Sequence, residues 1–142
     1  MNDFILSCCS TTDLTKEHLE KRGLEYVCFH YMLDGVTYTD DLGQSMSSDE
    51  FYSRLRGGAD CSTSQVNISE YLDFFTKYLE QGKDILHVSI SSGISGSINS
   101  ARNAASIAVE RFPDRKIYVV DSLAASSGYG LLMDKLADLR DD

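Results

Sequence analysis

No stretch of this chain approaches the roughly 20 apolar residues that span a bilayer, and the start Met1-Asn2-Asp3-Phe4 lacks the positive charge of a secretory signal. The expectation is a cytoplasmic protein with no integral membrane segment. Basic residues are scarce: 13 Lys and Arg against 22 Asp and Glu give a formal charge of −9. That balance argues against a nucleic-acid backbone or an anionic membrane surface as partner. The four cysteines, Cys8, Cys9, Cys28 and Cys61, make no Cys-x-x-Cys pair and no spacing with histidine that suits zinc. Reduced, mostly buried thiols and no metal site are expected, although Cys9, at the end of a strand, stays open as a nucleophile lacking a visible base. No Gly-Lys-Ser/Thr is present, which removes the phosphate-binding P-loop. Gly128-Tyr129-Gly130 lacks the third glycine of the dinucleotide fingerprint, so no nucleotide cofactor is expected either. Low-complexity tracts and solenoid repeats are absent.

What is present alternates. The apolar run Phe4 to Cys9 reads as a buried strand entering the polar turn Ser10-Thr11-Thr12-Asp13. A helix capped by Asp13 or Thr15 follows, with Leu14 and Leu19 inward and Gly23 at its end. Leu24 to Tyr31 reads as a second strand, continued through an Asp34-Gly35 turn as a hairpin or edge excursion. Ser47 and Glu50 form a capping box for a short helix ending at Gly57-Gly58. Ala59 to Val66 has no hydrophobic period and reads as a loop. Asn67 and Glu70 cap a helix whose buried face is expected at Ile68, Leu72, Phe75 and Leu79. Strands at Ile85 to Ile90 and Lys116 to Val120 enclose a helix from about Gly96. A last helix starts near Ser126 or Ser127, with Leu132, Leu136 and Leu139 on one side. The 142 residues suffice for a single α/β domain (1–142), a mainly parallel sheet with helices on both faces, three-layered and Rossmann-like.

In such a sheet, ligands bind beyond the carboxyl ends of the strands. The turns there are rich in hydroxyls: Ser10 to Asp13, Asp121-Ser122, the reachable loop Ser62-Thr63-Ser64-Gln65, and above all Ser91-Ser92-Gly93-Ile94-Ser95-Gly96-Ser97. This last turn joins a strand to a helix, so it offers unpaired backbone N–H groups and a positive helix end to an anion, with Ser95 or Ser97 as the cap. Its glycines either remove bulk or supply a positive φ. Hydroxyls and a helix end without Lys or Arg suit one carboxylate better than a triphosphate. Gly93-Ile94-Ser95-Gly96 misses the Gly-x-Ser-x-Gly nucleophile elbow by one residue. His18 reads as a surface residue and His30 and His87 as strand residues, which leaves Ser92 and Ser95 without a base. Asp13 and Asp121 read as turn or cap residues able to orient hydroxyls. Tyr71, Phe74, Phe75 and Tyr78 read as core and rim packing. A serine-dependent acyl hydrolase or transferase and a phosphoryl-binding interaction domain remain alternatives to an anion-binding carrier.

The residues Ser10-Thr11-Thr12-Asp13-Leu14, Thr63-Ser64-Gln65, Ser91 to Ser97 with Ser100-Ala101-Arg102, and Val120-Asp121-Ser122 followed by Gly128-Tyr129-Gly130 together resemble the N-terminal domain of the DegV family of bacterial fatty-acid-binding proteins. The resemblance implies a non-catalytic carrier, without cofactor, that buries a long-chain fatty acid and presents its carboxylate to a separate fatty acid kinase. It implies that Thr63, Ser95, Ser92 and the Gly96 amide hold the carboxylate, with Ser10, Thr11, Asp13, Ser64, Ser91, Gly93 and Asp121 as the supporting rim. Two positions depart from the family pattern: Cys9 stands where an acidic residue is usual, and Val66 replaces a proline. The second domain of that family is expected to be absent from these residues, leaving an exposed groove at Ile94, Ile98, Leu131 and Leu132 and a tendency to self-associate.

Overall fold

The least polar runs of the chain become the two central strands of a parallel sheet. In the computed structural model, which describes residues 4–142, β1 (Phe4–Cys9) and β6 (Asp84–Ser89) pair side by side, with β2 (Leu24–Val27) outside β1 and β7 (Ile117–Asp121) outside β6. The uncharged start at Met1 and Asn2 lies outside the described residues. Register sets Leu6 opposite both Leu24 and Leu86, and Ile85 opposite Ile117. Helices cover both faces, α3 (Ile68–Leu79) and α4 (Ser97–Arg111) packing together, and α1 (Lys16–Lys21) and α5 (Ser126–Asp141) joined by His18 to Asp134 at 2.8 Å. The α1–α5 pair is tied at its rim by Arg22 to Asp138 at 2.5 Å and by Arg140 Nη1 donating to the Gly23 carbonyl at 2.8 Å. The three-layer α/β expectation holds. Among the described residues no helix is long and apolar enough to cross a membrane.

Local chemistry explains most of the helix boundaries. Thr15, not Asp13, caps α1: its Oγ1 accepts from the His18 N–H, while Asp13 ends a short 3-10 turn (Ser10–Thr12) at φ 55°. Asn67 and Glu70 form the complete reciprocal box that starts α3. At α2 (Ser48–Arg56) only half of that box exists, because the Glu50 carboxylate turns to Arg54. The buried face of α3 is Tyr71, Phe75, Tyr78 and Leu79, and Ile68 is exposed. Likewise α5 buries Tyr129, Gly130, Met133 and Ala137 and leaves Leu139 in solvent. Both helices are rotated from the aliphatic stripe toward aromatic and small residues, since the sheet below takes a tyrosine ring at each contact.

The expected second strand divides in two. After Val27 the chain breaks at Cys28-Phe29, and His30–Leu33 (β3) joins a separate antiparallel sheet, order β4-β3-β5, with β4 (Val36–Thr39) and β5 (Cys61–Ser64). The hairpin at Asp34-Gly35 is as expected, whereas the loop expected over Ala59 to Val66 contains β5. Its small polar residues hide the strand because only Cys61 is even half-buried. Register places Thr63 opposite Tyr31 and Ser64 opposite His30.

The parallel sheet parts at its carboxyl end. Pairing of β1 with β6 stops at Ser7 and His87, although β1 stays paired to β2 through Cys9 and β6 to β7 through Ser89. The Tyr129 hydroxyl fills the gap, accepting from the Cys9 N–H at 3.0 Å and donating to the Val88 carbonyl. A side chain from α5 thus replaces one rung of the ladder and gives the Cys9 N–H and the Val88 carbonyl their partner. Gly130 is what lets α5 come so close: a Cβ on it would lie 2.6 Å from the Thr12 carbonyl oxygen.

Candidate functional site

Beyond the parted strands, a cavity of about 620 Å³ opens between the parallel sheet and the small antiparallel one. The turn after β6 and the end of β5 both reach it. Thr63 and Gln65 come from β5 and its exit, Ile94, Ser95 and Gly96 from the turn, and Thr11 and Asp13 from the turn after β1. Phe29, Tyr31, Met46, Phe51 and Tyr52 give it an apolar wall, and among the described residues no Lys or Arg lines it. Tyr31 stacks on Tyr38 with ring centroids 5.3 Å apart and meets Phe51 edge-on at 5.2 Å, which makes that wall rigid.

The Ser91 to Ser97 turn is held mainly by its own backbone. The Ile94 and Ser95 N–H groups donate to the Ser91 carbonyl at 3.0 and 3.1 Å, and the Ser91 N–H donates to the Ala124 carbonyl at 3.0 Å. Ser91 Oγ accepts from the Gly93 N–H, and Ser95 Oγ from the Ser97 N–H at 3.1 Å. Gly96, not a serine, occupies the N-cap of α4. Neither Gly93 nor Gly96 has a positive φ, so lack of bulk is their contribution. At Gly96 that is close: a Cβ would stand 3.0 Å from Gln65 Oε1. Among the described residues the Gly96 N–H and the Thr63 hydroxyl take no partner, which leaves both as free donors.

Most of the other sequence-marked residues lie outside the cavity lining, Asp13 and Thr11 excepted. Ser92 donates its N–H to the Asp121 carboxylate at 3.2 Å, and Asp121 also accepts from Leu123 N–H. Hydrogen bonding from Ser92 first, then from Leu123, holds the Asp121 carboxyl below its ordinary range. Buried Ser10 accepts from the Phe29 N–H at 3.0 Å and so pins the point where the chain leaves β2 for the small sheet. Asp13 accepts from Ser126 Oγ. Ser64 is exposed on β5. Of the expected apolar groove, Ile94 is exposed at the cavity, but Ile98 is fully buried and Leu131 lies on another surface beside His18 and Asp134.

Three features escaped the sequence. Asp40 lines the cavity, its carboxyl raised above the ordinary range by burial, an effect the Ser10 hydroxyl partly offsets. His30 lines it too, with Nε2 paired to Glu70, but no hydrogen bond links it to Ser95, Ser92 or Thr63 among the described residues. His18, expected at the surface, is half-buried against Asp134 at 2.8 Å. His87 is fully buried as expected, with Nδ1 2.9 Å from Ser7 Oγ, and burial pushes its pKa down to about 3. Among the described residues His87 faces Ser7 and Cys9 and makes no direct hydrogen bond to Ser92 or Ser95.

The chain matches the model of the DegV family of uncharacterised proteins over residues 9–142. It is 34% identical over its whole length to a DegV domain-containing protein of Clostridium perfringens, covering 49% of that protein. Its fold matches the stearic-acid-binding protein of Eubacterium ventriosum with a TM-score of 0.90 at 33% identity, over 98% of this chain and 48% of the other. It also matches the Streptococcus pneumoniae fatty acid kinase (Fak) B3 protein loaded with linoleic acid, at a TM-score of 0.79 and 27% identity, over 99% of this chain and 49% of that one. The chain therefore spans about half the length of the relatives it matches. Its strand order, its serine-glycine turn and these likenesses agree on one assignment: the chain belongs to the DegV family.

Proposed function

We propose that this chain is a lipid-binding module that holds a long-chain fatty acid by its carboxylate and presents it to a separate fatty acid kinase. The observation that carries the reading is the meeting of Thr63, Ser95 and Gly96 in one cavity that also has an aromatic wall. A carboxylate accepts hydrogen bonds only, and these residues offer two hydroxyl protons and a helix-end N–H. Ser92, Ser91, Gly93 and Asp121 keep the turn in shape from behind. The acyl chain lies along Phe29, Tyr31, Met46, Phe51 and Tyr52. The lack of Lys or Arg in the lining among the described residues, together with Asp13, Asp40 and Asp41, disfavours a phosphoryl ligand, whose higher charge needs Arg or Lys. The relatives known to hold stearic and linoleic acids support the ligand class.

The test is mass spectrometry of organic extracts of the purified protein, followed by fatty acid titration. A stoichiometric long-chain acid, retained less by Thr63→Ala and Ser95→Ala, is the expected outcome. Turnover of acyl esters that disappears in Ser95→Ala would overturn the carrier reading in favour of a hydrolase.

A further inference from the structure

Beneath the Ser95-Gly96 turn, polar side chains form a line through an otherwise apolar core. Ser97 opens α4, yet its Oγ points inward, 2.7 Å from the Tyr71 hydroxyl on α3. Tyr71 in turn lies 3.3 Å from Cys9 Sγ at the tip of β1. Cys9 Sγ is 3.9 Å from His87 Nε2, and His87 Nδ1 is 2.9 Å from Ser7 Oγ. Ser7, Cys9, Tyr71, His87 and Ser97 are all completely buried. Each link needs one donor and one acceptor, and the line is satisfied whether the protons run from Ser97 toward Ser7 or the reverse. Every member is neutral, because burial keeps the Cys9 and Tyr71 protons on and the His87 proton off. The Cys9 thiol fits the line without adding a charge.

We propose that Tyr71 is a positioning residue for the carboxylate site: by anchoring Ser97 it fixes the first turn of α4, so that the Ser95 hydroxyl and the Gly96 N–H form a preset donor pair. The linkage is short. The Ser97 N–H donates to Ser95 Oγ at 3.1 Å, which uses an acceptor site of that hydroxyl and leaves its single proton for the ligand. A shift of the first turn of α4 away from Tyr71 moves the Ser97 N–H and with it the direction of the Ser95 proton. Preorganised donors bind an anion without first paying to reorient. This inference rests on the carboxylate reading of the preceding subsection and adds a residue that touches no ligand.

Tyr71→Phe removes one oxygen and keeps the ring. Its affinity for a long-chain fatty acid should fall about tenfold, the size expected of one misdirected hydrogen bond, while affinity for the fatty alcohol of equal length changes less than about twofold. Ser97→Ala should behave alike. Equal losses for acid and alcohol, or no loss for either, would overturn the proposal, since a merely structural tyrosine gives one of those two patterns. Amide hydrogen exchange supplies a readout that needs no ligand: the Ser97 N–H should exchange about tenfold faster in Tyr71→Phe, with amides later in α4 unchanged. Unchanged exchange at Ser97 overturns the positioning role. If the wild-type protein binds no fatty acid, the carboxylate reading fails, and the exchange measurement still decides whether Tyr71 orders the turn.

Discussion

Replacing Tyr129 by phenylalanine isolates the energetic contribution of a single oxygen atom. That hydroxyl accepts from the Cys9 N–H and donates to the Val88 carbonyl at the point where β1 and β6 part. Tyr129, Cys9 and Val88 are all at most 1% exposed, so no water can take over either bond. Each backbone group left without a partner in such a place costs about 1–3 kcal/mol. The pair should therefore cost about 2–6 kcal/mol, a large share of the ~5–15 kcal/mol that stabilises a domain. The phenyl ring retains its packing, which confines the loss to the two hydrogen bonds. Urea unfolding at neutral pH should show a lower midpoint with an unchanged slope. Hydrogen exchange at the Cys9 amide should accelerate beyond the global change. A loss below about 1 kcal/mol would mean that the two strands can close and pair directly, and that the tyrosine is not a substitute rung.

Three further outcomes follow from the same geometry. His87 keeps a folded pKa of about 3, against about 6.5 when unfolded, so the unfolded chain gains a proton first as the solution is acidified. Its stabilising contribution is complete well above pH ~6.5 and falls by roughly 2–3 kcal/mol as the pH drops toward the folded value; an NMR titration showing the folded imidazole protonating above pH 5 would contradict this. Gly130→Ala should destabilise by about 1–3 kcal/mol despite its helical site, because the new methyl meets the Thr12 carbonyl. Gly128→Ala, with nothing within 4 Å, should instead stabilise by about 0.5–1 kcal/mol; thermal melts with the same sign for both would sink the steric argument. Burial raises the folded pKa of Asp40, so its contribution is favourable below its unfolded value and is lost as pH rises through the folded one. Asp40→Asn should accordingly raise the melting temperature at pH 7 but not at pH 3, and equal gains at both would refute the charge explanation.

The parallel sheet was legible because its strands are uninterrupted apolar runs bounded by turn residues, and Thr15, Ser47 and Asn67 announced helix starts by residue type. The small sheet was not. Strand β5 reads Cys-Ser-Thr-Ser, and its identity comes from backbone pairing with β3, which no side-chain period records. The helix faces were misjudged for a related reason. Tyr71 and Tyr129 count as amphipathic in a sequence, yet each is buried because a specific partner takes its hydroxyl. Residues of the serine-glycine turn and Thr63 stood out as hydroxyls near strand ends, and the fold brings them together. Asp40 and His30 had no such signature, since their place at the cavity depends on where the excursion after Val27 returns.

That excursion has an architectural meaning of its own. Residues 28–66 leave the parallel sheet after β2 and come back only at α3, and they supply most of the cavity wall without contributing a strand to that sheet. Most of the cavity wall and the sheet framework are therefore written on separate stretches of chain, with Thr11, Asp13 and the Ile94-Ser95-Gly96 turn as the framework's share of the lining. Such a cassette can accumulate substitutions, or be exchanged whole between relatives, while the β1-β6 framework and the serine-glycine turn continue to fold as before. The apolar wall is thereby free to diverge at a pace set apart from Ser95 and Gly96, whereas Thr63 travels with the cassette.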